Sequence, residues 1–496
     1  DVFFPIDGIL PPEQPLPSMP ALIDYFDIIK SAQALYTPFT SGVQEETGLA
    51  ITQGDAAQGT DIVRESYRIV SEEGSVAVDG KGVNIVVFSN SFDANPTGGQ
   101  QSNEEIDVEA GDLPGTAGEG NPNGYNTPVQ VIKEYPYTFG TISDEGRAML
   151  HIAHDIAPGA SLAFRTGVLS PRDFELGIKN LSSTENTIAL DDITFPGEPM
   201  FGISNIGEAI QDFTKDGNFY FTSAGNFYDN AYQSIFQTSE GANIPDFVTD
   251  PDAVAHIFGG TDDIYQRFEV KNGETYMIVL QWDEDFASQN NMLGAASDLD
   301  FWVVDDQERL LVGNNYYNDG EDDSVDDARD PIEYITFRAT ADGQANFLIT
   351  SANGDPGSLP FRYIIFVANS LQVLNYFDGA STMSGHPLTP EALAIGAVDF
   401  RKSLNSEPFT PQPFSSFGGI LPGALMTDEA AAQVALSSFD GVNTNVQTIG
   451  QNEVAGVPID GDPYKNFFGT SASVVHVAAA FALAKSAIPF WQETEN

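Results

Sequence analysis

No cysteine occurs among the 496 residues, which removes both a disulfide framework and thiol chemistry from consideration. Positive charge is scarce too: 20 Lys and Arg stand against 72 Asp and Glu, a net charge of -52. A surface of that sign repels phosphate backbones and anionic headgroups, so nucleic acid and membrane surfaces are excluded as general partners. It suits a secreted or cell-surface setting of marine or otherwise high salinity, where counterions screen the self-repulsion. Uninterrupted apolar runs stop short of a membrane-spanning length, and no membrane insertion is expected. The chain opens on Asp1-Val2-Phe3-Phe4-Pro5, without Met or a basic leader, and ends at Asn496 soon after an apolar helical pattern. A processed or trimmed product, cut short at its C-terminal end, is expected.

Gly at 46, Pro at 30 and Phe at 35 describe a folded, loop-rich protein, long enough for two or three domains. Residues 1–80 read as an N-terminal accessory segment, Pro-rich at first, with helical patterns at 21–34 and 56–72 and Asp55 as N-cap of the second. It is either an inhibitory propeptide or an embedded wrap. From 81 to 255, strands at 83–88, 161–166, 187–190 and 219–222 alternate with helical patterns. That alternation predicts an α/β fold: a parallel sheet with helices on both faces and active residues at the carboxyl ends of its strands. Over 256–370 the pattern changes to period two. Phe268 and Val270, the even residues from Tyr276 to Trp282, the odd residues from Leu299 to Val303, Ile335 and Phe337, Phe347 and Ile349, and 363–367 predict an inserted antiparallel β-sandwich. From 371 to 496 the α/β pattern resumes, with a strand at 392–398.

Three segments carry chemistry. In Gly469-Thr470-Ser471-Ala472-Ser473-Val474-Val475-His476 a small-residue turn runs into an apolar helix. Gly469 permits a bend and a close backbone approach, and Ser471 falls at the first helical turn, where free N–H groups favour a developing oxyanion. The plainer reading of Ser471 is an N-cap. In Phe221-Thr222-Ser223-Ala224-Gly225-Asn226 a strand ends in a turn with an amide at its tip, which by itself reads as an Asx turn. The run Val83-Asn84-Ile85-Val86-Val87-Phe88-Ser89-Asn90-Ser91-Phe92 reads as a strand buried on both faces.

Together, in this order, the three resemble the subtilisin-like serine peptidase superfamily, and within it a branch intermediate between subtilisins and sedolisins. The resemblance covers most of the chain beyond residue 80, interrupted by the sandwich: Asn226 and Ser471 stand 245 positions apart (471 less 226), far more than the family pattern needs. It implies Ser471 as nucleophile, Asn226 as oxyanion donor and an orienting Asp at the position held here by Asn90. In Ser143-Asp144-Glu145-Gly146-Arg147-Ala148-Met149-Leu150, Gly146 matches the family glycine and Glu145 falls at the base position, as in the sedolisins. His151 lies six residues on, roughly 9 Å along a helix, too far to substitute. Of the others, His154 is further still, His476 belongs to the serine motif, His386 sits in a Gly-His-Pro turn and His256 beside an apolar run.

Paired carboxylates let one acid accept a proton while its neighbour already holds one. Asp144 and Glu145 otherwise read as acids favoured at a helix N-terminus. Asn90 is the main departure: an amide can orient Glu145 but cannot share a proton, so Asn90→Asp is expected to raise activity. Val475 in place of the family proline, and no Lys-Pro-Asp before Gly441, are further departures. Asp191 and Asp192 end a strand beside the expected cleft, with Gly469 and Thr470 across it; a solvated turn is the alternative. The sequence thus supports a secreted serine endopeptidase acting on protein or peptide substrates, or an inactive relative serving as an extracellular binding or structural protein through self-association or a cell-surface partner. No cofactor is required. Calcium is left open at Asp298 and Asp300, while the acidic run 319–327 lacks EF-hand spacing and reads as a solvated hairpin.

Overall fold

The computed structural model describes residues 51–71, 74–94, 102–116, 121–140, 142–181, 185–239, 242–260, 262–289, 294–314, 330–367, 371–377, 379–419, 433–446, 449, 453–454, 457–458, 460, 462 and 464–487. The helical pattern at 21–34, the acidic run at 319–327 and residues 488–496 lie outside these.

Seven strands form one sheet: β1 (Asn84–Ser89), β2 (Gln130–Lys133), β3 (Ser161–Thr166), β4 (Thr187–Asp191), β5 (Phe219–Ser223), β6 (Ala392–Asp399) and β7 (Leu436–Asp440). Their order is β7-β6-β5-β4-β1-β3-β2 and every pairing is parallel. Parallel strands covered on both faces explain the unbroken apolar runs, and side chains alternate between two cores. Ile85, Val87, Ile188 and Leu190 join one core with α4 (Glu145–Ile156) and α8 (Thr470–Ala487). Val86, Phe88 and Ala189 join the other with α5 (Pro171–Lys179) and α6 (Asn205–Lys215). Ser170 and Ser204 cap α5 and α6, accepting from the N–H groups of Asp173 and Gly207. By length and composition α8 is the one helix among the described residues that could cross a membrane, but its apolar side chains fill the first core. Ser471, Ser473 and His476 interrupt its apolar run, which is why the sequence did not flag it.

The pattern at 56–72 forms two helices and a short strand, Arg68–Ser71, not one helix: α1 (Gln53–Gln58) and α2 (Thr60–Ser66), with α3 (Asn103–Ala110) following β1 and α7 (Phe400–Leu404) following β6. Gly59, at φ 76, breaks the first pair. The N-cap is Thr52, not Asp55, which instead binds Arg64 at 2.5 Å. Thr52 also meets His476 Nε2 of α8 at 2.9 Å, fastening this segment to the serine helix.

Between β5 and β6 lie two antiparallel sheets, as the period-two pattern predicts. One runs Leu310–Asn314, Leu299–Val304, Gly343–Ser351, Gln266–Val270, Gln372–Val373, with Val254–Ala255 also paired to Gly343–Ser351. The other runs Ile332–Arg338, Thr275–Trp282, Pro360–Val367, Ala231–Ile235. The span 256–370 therefore leaves out Val254–Ala255, Gln372–Val373 and Ala231–Ile235, the last of which pairs with Pro360–Val367. Aromatic rings dominate the space between the sheets, Phe268 and Phe347 stacking at 4.0 Å. The inserted segment leaves and returns at one place: Ala380 N donates to Ala231 O at 3.0 Å. Arg362, fully buried, donates to Ser381 O and Met200 O at 3.1 and 3.0 Å and so ties the sandwich to the sheet domain.

Candidate active site

The carboxyl end of β1 delivers Ser89, Asn90 and Ser91 against the start of α4. Gly146 makes that approach feasible, since a Cβ there would lie 2.3 Å from the Phe164 ring and 2.9 Å from Ser91 O. Asn90 Oδ1 accepts from the backbone N–H of Ser91 at 2.5 Å and of Glu145 at 3.0 Å. Two backbone donors fix the orientation of the amide, so Nδ2 is the end that donates to Ser143 Oγ at 2.6 Å and to Glu145 Oε2 at 3.5 Å. Asn90 thus caps α4 from outside and orients the Glu145 side chain.

Asp144 and Glu145 are neighbours with different surroundings. Asp144, in the left-handed region at φ 54, accepts from Ser91 Oγ at 2.7 Å and Ala94 N at 3.0 Å and pairs with Arg147 at 3.1 Å. It is held by structural partners and does not line a cleft with Glu145. Glu145 is buried, and its charge acts on Asp192 at the end of β4. Asp192 Oδ2 accepts from Ser89 Oγ at 3.2 Å. Burial first, and the Glu145 charge second, hold the Asp192 carboxyl well above the ordinary carboxylate range. At this end of the sheet β4 thus brings a carboxyl within reach of the Glu145 charge, where β1 has an amide.

Asp191 and Asp192 do not share a cleft. Strand alternation sends Asp191 to the opposite face, where its Oδ1 lies 3.1 Å from His386 Nε2 and accepts from Thr222 Oγ1 at 3.1 Å. His386 Nδ1 meets Glu198 Oε2 at 2.7 Å, and Ser204 Oγ donates to Glu198 Oε1 at 2.6 Å. Burial would lower His386, but the charges of Glu198 and Asp191 outweigh it and push the imidazole up to about 10. The solvated turn envisaged at Asp191-Asp192 is also excluded, since both side chains are wholly buried. The Gly-His-Pro turn gave no sign of this cluster; a histidine and two acids 188 and 195 residues away meet only through the fold.

The serine turn is tied down on both sides. Asn226 Oδ1 accepts from Thr470 N at 3.1 Å and Thr470 Oγ1 at 3.0 Å. That leaves Nδ2 as the donor end of the Asn226 side chain, beside the residue that precedes Ser471. Gly469, at φ 118, donates its N–H to Asp440 Oδ2 at 3.1 Å. Burial, above all, pushes the Asp440 carboxyl up to about 7. Helix α8, with Ser471 at its second position, packs on α4 and over β4 and β1. Ser471 is fully buried, so a substrate reaches its hydroxyl only after neighbouring segments part.

The remaining histidines have other partners. His151 meets Asp107 at 3.0 Å, His154 stands edge-on to Tyr125, and His256 packs among Tyr232, Phe236, Phe258 and Phe361. Asp298 and Asp300 are buried in the sandwich. Burial, then the charge of Asp298, pushes Asp300 up to about 8, opposed by the Thr350 hydroxyl that donates at 3.0 Å. Among the described residues no group of three His, Cys, Asp or Glu side chains is gathered so as to hold a metal ion.

No family model matches the chain, and no curated protein does. Among solved structures it is similar to the CspB protease of Clostridium perfringens, at 14% identity over 87% of each chain with a TM-score of 0.43. It is also similar to the MycP3 protease from the type VII (ESX-3) secretion system, at 11% identity over 92% of this chain and 83% of that one, TM-score 0.28. A 29% share resembles the lectin domain of lectinolysin complexed with Lewis B antigen, at 12% identity over 99% of that chain, TM-score 0.15. None of these likenesses is close enough to give a residue a role here.

Proposed function

We propose that the protein is a serine endopeptidase whose base is a glutamate, of the kind intermediate between subtilisins and sedolisins. The observation that supports this reading is the anchoring of Asn226 Oδ1 to Thr470, the residue before Ser471 at the start of α8, a helix packed against the one that begins with Glu145. Ser471 Oγ attacks the scissile carbonyl and passes its proton to Glu145. Asn226 Nδ2 and the positive end of the α8 dipole stabilise the oxyanion. Glu145 returns the proton to the departing amine, and a water then releases the acyl group by the same steps. The excess of 72 acidic over 20 basic residues suits a protein working at high salt, secreted or at a cell surface.

A serine-directed peptidyl phosphonate tests this. Folded protein should gain one adduct, localised to Ser471 by peptide mass and absent in Ser471→Ala. Folded protein that stays unlabelled would sink the reading. The burial of Ser471 and the amide at position 90 favour, in that event, an inactive relative that serves as an extracellular binding protein.

A further inference from the structure

We infer that Asp192 is the positioning residue that shares a proton with Glu145, supplying from β4 the second carboxylate that Asn90 cannot supply from β1. The inference rests on the roles of Ser471 and Glu145 proposed above.

The argument begins with strand alternation. Ile188 and Leu190 of β4 face the α4 and α8 core, so Asp192, two residues on, faces the same way and arrives beside Ser89 at the end of β1. Ser89 occupies only Oδ2. Oδ1 is buried and meets no donor among the described residues, and the side chain that acts on Asp192 most strongly is Glu145, which Asn90 holds next to Ser89. A carboxyl oxygen so placed against another carboxyl is satisfied only when a proton lies between the two. The groups acting most strongly on Asp192 are its own burial, Glu145 from α4, the Ser89 hydroxyl from β1 and Asp191 from its own strand, and no cation is among them. Thr470 and Ser471, at the start of α8, bring hydroxyls only. Like charges in such a place titrate as a pair, one acid holding its proton long after an isolated one would have lost it.

The proton count then closes. At rest the pair holds one proton, on Asp192, which donates to Glu145. Attack by Ser471 adds a second, and the pair becomes neutral. Transfer to the leaving amine returns it to one. Activity therefore needs one proton on the pair, falling in acid when Glu145 is protonated and in alkali when Asp192 is not.

The test is a relocation of the carboxylate. Asp192→Asn keeps shape but cannot pass a proton; kcat/KM should fall about 10²-fold and the alkaline limb of the pH profile should disappear. Adding Asn90→Asp to that variant puts a carboxylate back beside Glu145 and should restore both rate and limb. An unchanged rate and profile in folded Asp192→Asn, with Ser471→Ala inactive, would overturn the inference while leaving the peptidase reading intact. If no form of the protein has activity, the peptidase reading fails, and infrared difference spectra still decide the pair. Wild type minus Asp192→Asn at neutral pH should show one protonated-carboxyl band, also present in Ser471→Ala. A difference spectrum without it would overturn the shared proton.

Discussion

Asp191 and Asp192 leave the end of β4 on opposite faces of the sheet, and each is wholly buried. On one face Asp191 finds a cation: His386 lies between it and Glu198, and hydroxyls of Thr222 and Ser204 complete the set. On the other, Asp192 finds a like charge, Glu145, with Ser89 as a donor. Equal burial has opposite consequences. The first arrangement keeps an imidazole charged between two acids and holds structure together; the second keeps a proton poised between two acids.

The comparison is most easily broken through the cation. His386→Leu leaves Asp191 and Glu198 buried with their common partner gone, and should cost about 3–5 kcal/mol of unfolding free energy. Asp192→Asn should cost far less, because it replaces a buried, protonated acid with a neutral amide of the same shape that can still donate to Glu145. Denaturant midpoints at neutral pH compare them directly. Equal losses would mean that Asp192 is as much a structural acid as Asp191.

The pH dependence of stability sharpens the same contrast. His386 rises from 6.5 unfolded to about 10 folded, so its contribution is complete below pH 6.5 and is lost as pH climbs towards 10. Asp192 also binds its proton more tightly when folded, but from an unfolded value of 3.8, so its contribution fades from about pH 4 upward. Unfolding titrations should show the low-pH slope missing in Asp192→Asn and the slope above pH 6.5 missing in His386→Leu. A neutral-to-alkaline slope that survives in His386→Leu would show that the imidazole is not the group responsible.

How much of this was legible in the sequence follows from the range of each interaction. The strands ending at Ser89, Thr166, Asp191 and Ser223 were readable because parallel strands covered on both faces need unbroken apolar runs. Most sandwich strands announced themselves by period two. Ala231–Ile235 did not: the strand it pairs with, Pro360–Val367, begins 125 positions after it ends (360 less 235), and its five residues carry little alternation. Glu145 and Asn226 came from motif register. The meeting of Glu145 with Asp192 could not, since residues 47 positions apart (192 less 145) form no local pattern. A signal was present in part, for Ile188 and Leu190 assign even positions of β4 to one face once the neighbouring helices are known. The Glu198 and His386 pairing left none, being set by a Pro-rich loop on one side and a Gly-His-Pro turn on the other.

The smallest expected effect distinguishes the two faces most cleanly, because it changes one hydroxyl on each. Ser89→Ala removes the donor to Asp192 Oδ2, and Thr222→Val removes a donor to Asp191 Oδ1. Both should cost about 0.5–1.5 kcal/mol. The Ser89 hydroxyl favours the charged form of Asp192. Without it the pair should keep its proton to higher pH, and the alkaline limb of kcat/KM should move upward in Ser89→Ala. Thr222→Val should leave that limb where it is, since Asp191 is compensated by His386 and takes no part in the pair. A limb that moves in neither variant would detach Asp192 from the alkaline limb, and one that moves equally in both would mean that the sheet transmits the change in charge rather than the contact.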